Sequence, residues 1–200
     1  GSEMCIRDRG SPTLVASARL MPWAPQPLHS VDARAQALDL AALWPKAPVT
    51  ALSGQVLAAP EGGHWRAQVD LRNTRSGPWD QQRLPLDTLQ ARITQQGTQW
   101  RLDQLQAALG NARIGGQGHY QPARETQPAQ WQGDVQARSL DPARLWSTLA
   151  PAMLDLDARA EQNAGTPDRI TLQARAQSTR NASDGAGPVS YTHLRAHETS

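Results

Sequence analysis

Asp155 and Asp157 stand at i and i+2, a spacing that sets two carboxylates on one face of an extended chain, and paired carboxylates could serve glycoside hydrolysis. Leu154, Leu156 and Ala158 alternate with them, so the pair reads instead as the wet face of a strand. His29, His64 and His119 lie far apart, with no cysteine or carboxylate at metal-ligand spacing, and read as solvated turn or strand-edge residues. No serine occupies a Gly-x-Ser-x-Gly elbow. Gly110 to Gly118 is glycine-rich, but no lysine follows and no βαβ context surrounds it; glycine there suits a bulge or tight sheet curvature better than a phosphate loop. Tryptophans beside arginines could stack on bases or sugars. Yet Trp65, Trp100 and Trp131 head strands on their apolar face, while charges of both signs alternate on the other. Nothing assembles nucleophile, base and orienter, so the expectation is a non-enzymatic protein with no catalytic, metal or cofactor residues and no nucleic-acid partner.

The two ends read as one DNA sequence in opposite orientations. Codons permitted for Gly1 to Arg9 include GGC TCG GAG ATG TGT ATA AGA GAC AG, whose reverse complement translates as Val189-Ser190-Tyr191-Thr192-His193-Leu194-Arg195-Ala196. Inverted copies of one adapter at the ends of a DNA fragment produce this relation, and the pattern resembles a transposon-type sequencing-library adapter. Residues 1–9 and 188–200 are therefore expected to be non-native and are set aside. The remainder is expected to divide into a repeat segment at 10–177 and a linker or frayed end at 178–187, and to be an internal piece of a larger protein.

Setting the ends aside removes the single cysteine, Cys5, together with His193, His197 and Tyr191, so no thiol remains for a disulfide, a metal or nucleophilic catalysis. Seventeen Lys plus Arg then face fifteen Asp plus Glu, without a clustered basic patch, and Lys46 is the only lysine. The chain has no Phe; Leu, Ala and scattered Trp are a thin supply for a thick two-layer core. No apolar run approaches the ~18 residues of a membrane-spanning helix.

Period-two alternation dominates the elements. In Trp65 to Asn73 the odd positions are apolar until Asn73 and the even ones polar, which predicts one buried and one wet face. Trp131 to Arg138 repeats the design, and both fit Trp-x-small-x-Val-x-apolar-Arg. Trp100-Arg101-Leu102 opens a third stretch, continued by Leu105, Ala107 and Leu109 on one face; the Trp spacings of 35 and 31 suggest a loose repeat. Further strands are expected over Thr88–Gln95, Ala112–Tyr120, Asp155–Ala160 and Arg169–Gln177, parted by turns at Pro60–Gly63, Ser76–Pro78, Gln96–Gly97 and Asn163–Pro167. The sum is a meander of short antiparallel strands. One helix is expected, capped by Asp141, begun by Pro142, and carrying Leu145, Trp146 and Leu149 on one face before Pro151. A second short turn is expected over Ala35 to Leu43, and a loop over Gln121 to Gln130.

Several segments in order resemble the repeat region of the TamB and AsmA-like family of Gram-negative envelopes. They are Met21-Pro22-Trp23, Gln26-Pro27-Leu28, Leu38-Asp39-Leu40, Leu43-Trp44-Pro45, Ala47-Pro48 and Thr50 to Gly54, then Trp65 to Asn73, Arg83 to Leu86 and Leu89-Gln90-Ala91, and finally Leu109 to Gly118. The pattern covers nearly all of 14–176, but neither the family's amino-terminal anchor nor its carboxy-terminal domain is seen. The resemblance implies a mainly β fold in which repeated strands form a curved, open, taco-like sheet with an apolar groove. It also implies a periplasmic protein anchored to the inner membrane, an Omp85-type (TamA-like) outer-membrane barrel as partner, and a role in phospholipid movement and outer-membrane protein assembly.

On that reading the groove lining is expected to include Trp65, Val69, Leu71, Trp100, Leu102, Ile114, Trp131, Val135, Ile170 and Leu172. The first alternative is a secreted β-sandwich that binds carbohydrate through its tryptophans, which would close the apolar face with a second sheet. Another is a structural repeat that scaffolds barrel assembly without touching lipid.

Overall fold

The computed structural model describes residues 2–6, 13–20, 28–124, 127–162, 170–178 and 191–192. Its strands are β1 (Ser2–Ile6), β2 (Thr13–Leu20), β3 (Leu28–Leu38), β4 (Leu52–Glu61), β5 (His64–Asn73), β6 (Thr88–Gln96), β7 (Gln99–Leu109), β8 (Ala112–Gln121), β9 (Gln130–Leu140), β10 (Leu154–Gln162), β11 (Ile170–Ser178) and β12 (Tyr191–Thr192). They form one antiparallel sheet whose spatial order is the order along the chain, with β1 and β12 at its two open edges. The mainly β, open and curved architecture is the one expected. β1 and β12 fall within 1–9 and 188–200 and pair with β2 and β11. The expected turn at 163–167, almost all of the linker at 178–187, and the segments at 21–23 and 26–27 lie outside the described residues.

Two helices occur where one was expected. Helix α1 (Leu40–Leu43) and helix α2 (Pro142–Leu145) are single turns in the β3–β4 and β9–β10 connections. Asp141 caps α2 by accepting from the Ala143 amide, as its sequence position suggests. The helix stops earlier than the apolar spacing predicts: Trp146 returns to extended backbone at φ −145° and ψ 117°, so Trp146 and Leu149 lie beyond it and are exposed. Likewise Ala35 to Leu38 complete β3 and only Leu40 to Leu43 are helical. A 3-10 turn at Trp79–Gln81 occupies the β5–β6 connection.

The two helical connections are one structure built twice, from Leu38-Asp39-Leu40-Ala41-Ala42-Leu43-Trp44 and from Leu140-Asp141-Pro142-Ala143-Arg144-Leu145-Trp146. Two residues before each capping Asp the chain takes a positive φ, at Ala37 (50°) and Ser139 (56°). Each of these makes an extra residue against the following strand and shifts the register there, a β-bulge. A side chain of that strand satisfies the displaced amide: Ser53 Oγ accepts from Ala37 at 2.9 Å, and Asp155 Oδ1 from Ser139 at 2.9 Å. The capping carboxylates also reach forward, Asp39 to the Thr50 amide at 3.0 Å and Asp141 to the Ala152 amide at 3.3 Å.

One of the differences between the copies is a linked pair of positions. In the first, buried Thr50 accepts the Leu40 amide on its Oγ1 at 2.9 Å and donates the hydroxyl to the Leu38 carbonyl at 3.0 Å. In the second, Pro142 has no amide to satisfy and Ala152 has no hydroxyl to offer. Among the described residues, burial is confined to a few places: Leu52, Leu109 and Ala112, with Thr50 and Asn73, at the helix-bearing end of the sheet, and Ala91 and Ala137 within it. Asn73 Oδ1 accepts from the Ala51 and Arg75 amides, tying β5 to the connection beside it.

Candidate functional site: the apolar face of the sheet

Strand register places the apolar residues in rows that run from strand to strand across the sheet. Val69 of β5 lies between Val56 of β4 and Ala91 of β6, and the row continues through Leu105, Gly116, Val135, Ala158 and Ala174. A second row carries Leu71, Leu89, Ala107, Ile114, Ala137 and Leu156. A third carries Ala67, Ile93, Leu102, Gly118, Gly133, Ala160 and Leu172. Since side chains of a strand alternate between faces, residues sharing a register row share a face, and rows two residues apart repeat it.

β7 keeps to this face only by changing step. Leu102 and Leu105 differ in parity, and the register against both β6 and β8 shifts between them, so Asp103 and Gln104 form a bulge that returns Leu105, Ala107 and Leu109 to the apolar side. β8 approaches β9 where its side chains vanish. A Cβ added at Gly118 would sit 2.8 Å from the Gln132 carbonyl oxygen, which a real side chain could not tolerate. Gly116, Gly118 and Gly133 therefore make the shallowest relief of the face, bordered by Leu102, Leu105 and Val135.

An amphipathic row bounds the face on the hairpin side. Trp65, Gln95, Trp100, Tyr120, Trp131 and Gln162 follow one another across β5 to β10, with Ile170 next on β11. Trp131 Nε1 donates to Gln162 Oε1 at 2.7 Å, while Trp100 and Tyr120 stay 48% and 44% exposed. At the opposite boundary Leu52, Leu109 and Ala112 are buried near the helical connections.

Nine of the ten residues expected to line a groove fall on this one face, distributed over four rows, and backbone register sets Ile170 opposite Gln162. Trp65, Trp100 and Trp131 share the amphipathic row, Leu102 and Leu172 the next, Val69 and Val135 the third, and Leu71 and Ile114 the fourth. Among the described residues no second layer packs over them, and Val135 is 37% exposed. Sequence reading missed part of the wall: Val31, Ala33 and Ala35 of β3 and Val56 and Ala58 of β4 extend the rows, and Tyr120 completes the aromatic one. Alternation of Ala and Val with Asp32 and Arg34 was the available signal, weak because the side chains are small.

The opposite face is polar. Arg66, Gln68, Asp70 and Arg72 of β5 are exposed there, and Arg138 donates to Asp157 across strands at 2.7 Å. That hydrogen bond raises the Arg138 pKa further above its ordinary value. Asp155 and Asp157 are thus divided between an amide of the β9 bulge and Arg138, the role of a wet strand face. His119 is exposed, whereas the buried Nδ1 of His64 finds no partner. Among the described residues no three His, Cys, Asp or Glu side chains gather as metal ligands, and no helix is long and apolar enough to cross a membrane.

Comparison with family models, with curated proteins and with solved structures finds no match for this chain.

Proposed function

We propose that this chain carries lipid acyl chains along the apolar face of its sheet, as a stretch of a TamB or AsmA-like protein that passes phospholipid between the inner and outer membranes. The observation that carries the reading is the set of apolar rows left without a covering layer among the described residues. A soluble sheet ordinarily buries such a face against a second layer. An acyl chain laid across the rows would serve in place of that layer, with roughly 0.8 kcal/mol gained for each CH₂ removed from water. Passage along the rows asks for no covalent step and no cofactor. The amphipathic Trp, Tyr and Gln row suits the boundary between acyl chains and hydrated head groups, since aromatic residues with a polar tip favour such boundaries. Periplasmic location, an inner-membrane anchor, an Omp85-type barrel partner and support of outer-membrane protein assembly belong to the same proposal, and rest on the sequence resemblance.

The test is photocrosslinking with a phospholipid bearing a diazirine in its acyl chain. Val69→Asp and Val135→Asp should abolish labelling while the far-UV circular dichroism of the sheet persists. Labelling at the level of the unsubstituted chain in both variants would overturn the proposal. A carbohydrate-binding β-sandwich needs a second sheet over this face, and the single-sheet architecture offers no support for it.

A further inference from the structure

The connections at the helix-bearing end of the sheet display half-exposed apolar side chains. Leu43, Trp44, Trp79, Trp146, Leu149 and Met153 are each 45–60% exposed, and all lie in the β3–β4, β5–β6 and β9–β10 connections. These connections form one continuous shelf. Asp80 accepts from both the amide and the hydroxyl of Ser147, which joins the segment of Trp79 to that of Trp146. The Val49 amide donates to the Gln82 carbonyl at 2.7 Å, and Lys46, Pro48 and Trp79 line one cavity, which joins the first connection to the second.

Trp44 and Trp146 hold equivalent places in the two copies of the helical turn, each the first extended residue after it, with exposures of 60% and 48%. Twice the same position places its largest side chain in water, where it contributes little to packing.

Charge on the shelf is sorted by its partners. Its acids all accept hydrogen bonds from backbone amides, Asp39, Asp80 and Asp141 from those of the connections themselves and Asp87 from Gly110 in the β7–β8 turn. Its cations, Lys46, Arg75, Arg83 and Arg144, are exposed, and no ion pair among the described residues reaches them. The outer surface of the shelf therefore combines free positive charge with exposed indole rings.

We propose that this shelf docks on an anionic lipid bilayer surface, with Trp44, Trp79 and Trp146 at head-group depth and the unpaired cations against lipid phosphates. Tryptophan favours the membrane–water interface, and each basic side chain near an anionic surface adds about 1 kcal/mol of attraction. The partner's negative charge complements the cations that the shelf leaves unpaired. This docking is separate from acyl-chain binding on the apolar face.

Co-flotation of the full chain with vesicles tests it, comparing phosphatidylcholine alone with a phosphatidylcholine–phosphatidylglycerol mixture. Binding is expected to the mixture only, to weaken as salt is raised, and to shift tryptophan emission to the blue. Two paired variants, Trp44→Ala with Trp146→Ala and Lys46→Glu with Arg144→Glu, should each weaken binding about tenfold or more. Val135→Asp on the apolar face should leave it unchanged. Equal binding to both vesicle types, binding to neither, or indifference to both shelf variants would overturn the proposal. Loss of vesicle binding in Val135→Asp would also overturn it, by assigning the contact to the apolar face. Sedimentation supplies the remaining outcome: self-association abolished by the same shelf variants would make a second copy the occupant and refute the lipid surface.

Discussion

Asp80 and Ser147 are bound to each other twice, the carboxylate accepting the serine amide at 2.9 Å on one oxygen and the serine hydroxyl on the other. They stand 67 positions apart and join connections that leave the sheet four strands from one another.

The Ser147 hydroxyl, and after it the Ser147 amide, hold Asp80 below the ordinary carboxylate pKa. A carboxylate depressed in the folded state adds stability above its unfolded pKa of about 3.9, and that contribution is lost as pH falls through the lower folded value. The junction should therefore be intact at neutral pH and open only in acid. Carboxyl-carbon NMR should show Asp80 titrating below the ordinary carboxylate range, and Ser147→Ala should move it upward. An unchanged titration in that variant would show that the hydroxyl is not the cause.

Thr50→Ala removes the group that satisfies both the Leu40 amide and the Leu38 carbonyl, and should cost about 1–3 kcal/mol in urea unfolding. Leu40→Pro imports the solution of the second copy. The double variant Leu40→Pro/Thr50→Ala should be destabilised by less than the sum of the two single changes. Additivity would mean that the Leu40 amide was not what made Thr50 necessary.

Gly54 has a φ of 148°, and a Cβ there would lie 2.0 Å from the Asp70 carbonyl oxygen, while the Gly62 position in the hairpin turn is open. Gly54→Ala should accordingly destabilise the β4–β5 pair by more than the roughly 1 kcal/mol expected of a strained turn glycine, with faster amide exchange around Leu71. Gly62→Ala is the comparison, and equal effects would remove the steric argument.

Arg138→Ala breaks an ion pair whose partners are both about half exposed, and its effect on stability should be small. Ala137 is its neighbour on the other face and only 3% exposed, so Ala137→Asp should be far more damaging. Thermal unfolding of the two variants side by side measures the contrast between the faces.

Where a strand has a strong face, its sequence declared it. Trp65, Ala67, Val69 and Leu71 alternate with charged or amide residues, and their strand runs within one residue of the span they predict. β3 is not legible in the sequence because Val31, Ala33 and Ala35 alternate as regularly but with side chains too small to stand out. The extent of α2 is not legible either, because Leu145, Trp146 and Leu149 have helical spacing, yet the chain extends at Trp146 to reach β10. The duplicated turn from Leu38 and from Leu140 is not legible from the Trp-headed strands, whose spacings are 35 and 31 residues, because Asp39 and Asp141 lie 102 apart. The shelf could not be foreseen from spacing, since the Asp80–Ser147 contact that joins it is purely tertiary.

Because each strand pairs only with its neighbours in the chain, the sheet is a one-dimensional stack in thermodynamic terms. Pulled from its two edges, it would open strand by strand, each rupture leaving the rest paired. The link between Asp80 and Ser147 interrupts that sequence, so β6 to β9 should yield together at a higher force than the strands on either side. Resistance to tension is thus set locally, by where the connections touch, and not by the number of strands.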